Sequence, residues 1–312
     1  MLRLGLIGAG RWGKVYLRTI ERMPDRLQAV RVATSKPEGS WKEVIAAPEV
    51  DAVIIATPAP LHAEMARACL ERGKPCIVEK PACFDAATAL ALKGQADKAG
   101  LPVLVNYIHL YNPAYQTFKR AVAASGKPIR AILSEGIDLG PFRPETGTLW
   151  DRCPHDVALC LDLMEKTGTG PAAAVSAAGA FPDAQGRPEM VTLCLRWKGG
   201  ATAWIHAGRL IPQKRRTLSV ITDTELFHFD DQAPVKCRRI LFDYAGRARL
   251  GSGPLPKEGE PIPVPEGPTP MERMLSAFAA QVEKKEPPAG LGLTVELTRI
   301  LEECDKLLTC VS

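Results

Sequence analysis

The chain has 312 residues, 46% hydrophobic and 24% charged, with a formal net charge of +5. That length suits two domains of ~100–200 residues each, and the composition excludes a disordered, collagenous or coiled-coil architecture. The longest stretch without Asp, Glu, Lys, Arg or His, 167–182, is rich in Ala and Gly and lacks the ~20 strongly apolar residues of a membrane helix, and the mild positive charge forms no concentrated track for nucleic acid.

Residues 2–7 read as a short apolar strand, 13–23 as a helix with Val15, Leu17 and Ile20 at helical spacing, and 27–34 as a second strand. The stretch between Thr34 and Ser40 is so short that no helix is expected after that strand. Residues 51–57 enclose an unbroken apolar run, 52–56, as in a strand buried on both faces of a parallel sheet. A helix over 60–72 stops at Gly73, a strand covers 74–79, and an Ala-rich helix over 85–98 has Asp85 as N-cap and ends near Gly100. Residues 102–106 give one more strand. Repeated strand–helix–strand units predict a doubly wound parallel sheet of Rossmann type.

The pattern changes after about Asn112. A helix over 113–124 is followed by strands over 129–137, 172–181, 191–198, 201–210 and 217–222, with a helix over 150–166 between the first two. Helices over 269–285 and 294–308 close the chain, and 251–270 is rich in Pro and Gly and reads as an extended surface segment. The fold class expected is therefore α/β. Residues 1–112 form a dinucleotide-binding Rossmann domain. Residues 113–312 form an α+β domain on a mostly antiparallel sheet, for substrate binding and oligomerisation, its last helices free to pack back on the first domain.

Nine cysteines occur without a C-x-x-C pair, which suits reduced thiols in a cytosolic protein and suggests neither a zinc site nor a disulfide framework. The start of the chain runs straight into a glycine loop and lacks a secretory pattern. A cytoplasmic location is expected.

Gly8-Ala9-Gly10-Arg11-Trp12-Gly13 matches G-x-G-x-x-G between a strand and a helix, the context in which the motif binds a dinucleotide. Gly8 permits a tight turn, Gly10 lets backbone approach a pyrophosphate, and Gly13 lets the helix pack close to the strand. The helix N-terminus then faces the phosphates with its N–H groups and dipole. Where an NAD enzyme often carries a carboxylate for the ribose, this chain has Thr34-Ser35-Lys36. Ser35 and Lys36 could bind a 2′-phosphate, so the cofactor expectation is NAD(P) with a lean to NADP. Lys36 is equally readable as a solvent-facing loop lysine.

Three further segments complete the pattern: Thr57-Pro58-Ala59-Pro60-Leu61-His62, Val78-Glu79-Lys80-Pro81, and Asp151-Arg152-Cys153-Pro154-His155. With the glycine loop, in this order and at these intervals, the chain resembles the Gfo/Idh/MocA oxidoreductases over essentially its whole length. The resemblance implies that Lys80 is catalytic, polarising a carbonyl or stabilising an alkoxide. It implies that His155 is the general acid/base and that Asp151 orients substrate or tunes the other two. Glu79 would contact the cofactor ribose, and Thr57, Pro58 and His62 would line the cofactor cleft. The substrate implied is a secondary alcohol or ketone of a sugar, polyol or related cyclic compound, and the assembly a homodimer or homotetramer paired through a sheet face. No metal, nucleic-acid or membrane partner is expected.

Plainer readings stand beside these. Lys80 could be a loop lysine before a turn-forming proline, His155 a satisfied histidine on a half-buried helix, Asp151 a helix-start residue, and His62 a helix cap or a partner of backbone. Tyr107, His109, Tyr111 and Tyr115 could line a substrate pocket or pack at the domain junction. Cys153 and Pro154 fill an interval where many family members have a glycine, and the arginine common near residue 106 is missing. A dinucleotide-binding redox sensor or regulatory subunit on the same fold is the alternative function. An S-adenosylmethionine enzyme is disfavoured by E-K-P and by the antiparallel second half.

Overall fold

The computed structural model describes residues 1–34, 40–142, 145–165, 167–241, 259–284 and 291–309. It divides into two compact units: Met1–Ile108 with Pro268–Arg299, and His109–Gly267 with the remainder of the last helix from Ile300.

The first unit alternates β1 (Leu2–Ile7), α1 (Arg11–Glu21), β2 (Leu27–Ala33), α2 (Ser40–Ala46), β3 (Ala52–Ile55), α3 (His62–Glu71), β4 (Cys76–Val78), α4 (Ala86–Ala99) and β5 (Val103–Val105). The strands form one sheet in the order β2-β1-β3-β4-β5, and every pairing is parallel. All four residues of β3 are buried, as its apolar run requires. Asp85 accepts from the Thr88 backbone N–H at 2.7 Å and caps α4. The chain leaves β1 on one side to build β2 and returns on the other to build β3. The switch point of the sheet therefore lies between β1 and β3, where open α/β sheets bind ligands.

A helix does follow the second strand: α2, seven residues long. Its Val44 and Ile45 are buried, and a Cβ on Gly5 of β1 would come within 2.5 Å of Val44. A helix of two turns has little stability of its own, and packing over a glycine in the strand beneath it supplies what local pattern cannot.

The second unit carries α5 (Pro113–Ala124), β6 (Ala131–Ile137), α6 (Gly147–Glu165), β7 (Ala174–Pro182), β8 (Pro188–Arg196), β9 (Thr202–Gly208), β10 (Arg215–Ile221), β11 (Glu225–Asp230), β12 (Cys237–Leu241) and β13 (Glu260–Pro261). Its eight-stranded sheet runs β13-β12-β11-β10-β6-β9-β8-β7. Every pairing is antiparallel except β6 with β9. Helices α5 and α6 pack on one face, over Leu193, Leu195, Ala203, Ile205, Leu218, Val220, Phe227 and Phe229, all buried. Strands β12 and β13 were not expected from the sequence. Two further helices, α7 (Pro270–Lys284) and α8 (Leu291–Thr309), end the chain. No helix among the described residues is long and apolar enough to cross a membrane. The eight described cysteines form no disulfide.

Candidate functional site

Sheet register alone collects most of the predicted residues of the first unit. Ile7 pairs with Ile55, Ile55 with Val78 and Val78 with Val105. The residues that follow are held in the same row: Ala56 N–H donates to Ile7 O at 2.8 Å, Glu79 N–H to Ile55 O at 2.9 Å, and Asn106 N–H to Val78 O at 2.8 Å. Gly8, Thr57, Glu79 and Asn106 thus share the carboxyl edge of one sheet.

The three motif glycines meet three different surroundings. Gly8 has a φ of +98°, and a Cβ there would lie 2.5 Å from Ala56 O. A Cβ on Gly13 would lie 2.0 Å from Gly8 O, so the first turn of α1 rests against the loop backbone. Gly10 has nothing within 4 Å of the same point. It is the N-cap of α1 and offers no side-chain cap, so the first N–H groups of the helix face the open side of the turn. This is a cradle of the shape a pyrophosphate needs, with Ala9 and Arg11 on its rim and Trp12 half-buried beside Gly13.

Glu79 is buried, at 5% exposure. Its Oε1 accepts from Tyr16 Oη at 2.9 Å and from Asn106 Nδ2 at 2.7 Å, and Asn106 Nδ2 also donates to Tyr16 Oη at 2.9 Å. Burial pushes the Glu79 carboxyl up from its ordinary range. The two donors, and then the charges of Lys80 and His62, pull it back. Tyr16 is held well above its usual range by its own burial and by the Glu79 carboxylate. Sequence reasoning missed Tyr16 and Asn106. The signal for Asn106 was its position: a polar residue directly after a strand of the same sheet, as Thr57 and Glu79 are. Tyr16 lies three residues after Gly13 in a helix, a spacing that keeps both on one face.

Lys80 is half-buried, and its peptide bond to Pro81 is cis. Pro58 is exposed, and Thr57 sits with its hydroxyl 3.6 Å from Met65 Sδ. His62 is buried with both ring nitrogens on backbone carbonyls, Nδ1 at 2.8 Å from Pro81 O and Nε2 at 2.7 Å from Thr57 O. It therefore joins the loops after β3 and β4. Ser35 and Lys36 lie outside the described residues.

In the second unit, Asp151 and His155 stand one turn apart on α6, the first buried and the second half-buried. Arg152 pairs with Asp138 at 2.7 Å and lies 3.6 Å from the Asp151 carboxylate. The His109 ring meets His155 edge-on, centroids 4.8 Å apart. Tyr115 is core, donating to Asp162 at 2.6 Å. Tyr107 is buried and donates to Thr294, and burial lifts Tyr111 to about 12. Among the described residues, no group of three or more His, Cys, Asp or Glu side chains is arranged to hold a metal.

A model of the GFO_IDH_MocA family, described as an oxidoreductase family with an NAD-binding Rossmann fold, matches residues 2–107. The crystal structure of a proposed oxidoreductase from Magnetospirillum magnetotacticum MS-1 aligns with a TM-score of 0.84 at 35% identity, covering 97% of this chain and 99% of that one. The chain belongs to the Gfo/Idh/MocA family. Among curated members, scyllo-inositol 2-dehydrogenase (NADP(+)) IolW of Bacillus subtilis is 25% identical over 187 residues, 52% of each chain. UDP-N-acetylglucosamine 3-dehydrogenase of Acidithiobacillus ferrooxidans is 28% identical over 233 residues, 70% of this chain and 71% of that one. The chain spans about half the length of the first curated Gfo/Idh/MocA relatives it matches.

Proposed function

We propose that this Gfo/Idh/MocA chain is an NAD(P)-dependent oxidoreductase acting on a secondary alcohol or ketone of a sugar, polyol or related cyclic compound. The observation that carries the reading is the shared carboxyl edge, where the open turn at Gly10 follows β1 and the Glu79-Lys80 pair follows β4, on either side of β3 in one parallel sheet. The residues fit a dinucleotide: Gly8, Ala9, Gly10, Arg11, Trp12 and Gly13 would hold its pyrophosphate, with Thr57, Pro58 and Glu79 beside it. When bound, the nicotinamide supplies hydride transfer. Lys80 polarises the substrate oxygen with its ammonium. His155 exchanges the hydroxyl proton, a task that suits an imidazole near neutral pH, and Asp151 orients the substrate or tunes His155.

Cofactor choice leans to NADP. No carboxylate stands at Thr34-Ser35-Lys36 to repel a 2′-phosphate, and the B. subtilis relative is named for NADP(+). A cytoplasmic location and a homodimer or homotetramer formed through a sheet face belong to the same reading.

The test is a turnover screen of inositols, free sugars and UDP-N-acetylglucosamine with NAD(+) and NADP(+), alongside fluorescence titration with NADH and NADPH. We expect turnover, a preference for NADP, and losses of about 10²-fold or more for Lys80→Ala and His155→Ala with cofactor binding retained. Binding without turnover on any substrate would favour the sensor reading, absence of binding would remove both, and a tenfold preference for NAD would remove the lean to NADP.

A further inference from the structure

The loops after β3 and β4 are tied together by one side chain. His62, 1% exposed, sets Nε2 2.7 Å from Thr57 O and Nδ1 2.8 Å from Pro81 O. A carbonyl oxygen only accepts hydrogen bonds. A neutral imidazole has one N–H and one bare nitrogen, so in that form one of the two contacts would press a lone pair against a carbonyl oxygen. Both bonds exist together only when the ring carries both protons.

The loop after β4 carries the Glu79 carboxyl, the Lys80 ammonium and, at its end, the Asp85 carboxylate that caps α4, and the His62 charge acts on Glu79. Residues 56–61 carry no charge, and Glu64 is the acidic residue in the first turn of α3. A cation at His62 therefore faces a buried carboxyl that is itself fixed by Tyr16 and Asn106. The turn that presents Lys80 is held on both flanks, by Glu79 before it and by the Pro81 carbonyl after it.

We propose that His62 is a positioning residue for Lys80: as an imidazolium it donates to Thr57 O and Pro81 O and fixes the 79–81 turn against the loop after β3. The clamp stands on its own geometry; its consequence for catalysis rests on the role of Lys80 proposed above. The experiment uses the full chain with 15N-labelled histidine, and H62Q, H109Q, H155Q, H206Q and H228Q assign the five rings. At about pH 7.5, where an unperturbed histidine is mostly neutral, ring 62 is expected to retain two N–H groups. A bare nitrogen on ring 62 overturns the proposal, and this measurement holds even if H62Q fails to fold. In folded H62Q, amide hydrogen exchange at Lys80 and Ala82 is expected to rise by about tenfold or more, with α4 amides unchanged. Wild-type exchange rates there also overturn it. NADH affinity should stay within about threefold while kcat falls about tenfold with little change in KM; unchanged kcat would remove the catalytic consequence. If the wild-type protein turns over no substrate, the reading of Lys80 falls, and the spectra and exchange still decide the clamp.

Discussion

Gly10 and Gly13 lie three residues apart and answer to different constraints. Alanine at 13 would drive its Cβ to 2.0 Å from Gly8 O, while alanine at 10 would point into open space. We expect Gly13→Ala to cost about 3 kcal/mol or more, since backbone on both sides leaves nothing soft to move. Gly10→Ala should leave the melting temperature nearly unchanged and weaken NAD(P)H binding. Thermal melts paired with fluorescence titration check both, and a destabilised Gly10→Ala would show that the turn is already filled. Glu79 offers a test by pH. Because burial raises its carboxyl in the folded chain, the native state holds that proton to higher pH than the unfolded chain does. Its contribution to stability therefore declines as pH rises above the ordinary carboxyl range through the folded value. Glu79→Gln lacks that titration, so its melting temperature should gain on wild type between pH 4 and pH 8. A gap that moves the other way would mean that the Tyr16 and Asn106 donors outweigh burial.

Helix α6 is anchored by a buried ionic cluster. Asp156 Oδ1 accepts from Arg216 at 2.8 Å and from Ser134 Oγ at 2.8 Å, and both ionic partners are almost wholly buried. A Cβ on Gly136 of β6 would lie 2.3 Å from Asp156 Oδ2, so the sheet is thinned where the helix sets down its carboxylate. The same helix carries Asp151 five residues earlier and His155 immediately before Asp156, and the anchor fixes how the helix is turned. Removing Arg216 alone, as Arg216→Met, should cost about 3–5 kcal/mol by stranding the carboxylate, and Arg216→Met with Asp156→Leu should recover much of it. Urea denaturation of the two variants measures this, and an equal loss in both would mean that the ion pair itself stabilises the fold. Elements with strong periodicity, such as the buried run of β3 and the capped α4, were legible in the sequence. Helix α2 was not, because seven residues over Gly5 are stabilised by what lies beneath them. Strand β12 is five residues long, and its alternation is too brief to stand out from the loops around it.

At the scale of the whole molecule, the eight-stranded sheet has one face under α5 and α6 and another on which Leu133 and Trp204 pair across β6 and β9 at 41% and 40% exposure. Apolar side chains of this size side by side suit a contact between copies. Sedimentation should find a dimer or tetramer for the wild-type chain and a smaller species for Trp204→Glu; a wild-type monomer would rule the contact out. The motifs of the first unit were legible because each follows a strand of the parallel sheet, and local pattern places such positions well. Tyr16, Asn106 and the reach of His62 to Pro81 were not legible, because register and tertiary contact bring them together across 19 to 90 positions of sequence. Long range also governs the ends of the chain. The first unit needs Met274, Leu275, Phe278 and Leu297, all buried, and the second needs α8 beyond Ile300. During synthesis, then, neither half can be completed as it leaves the ribosome. The five-stranded parallel sheet is made before Met274, Leu275, Phe278 and Leu297, so the first unit stays partly uncovered until those residues follow.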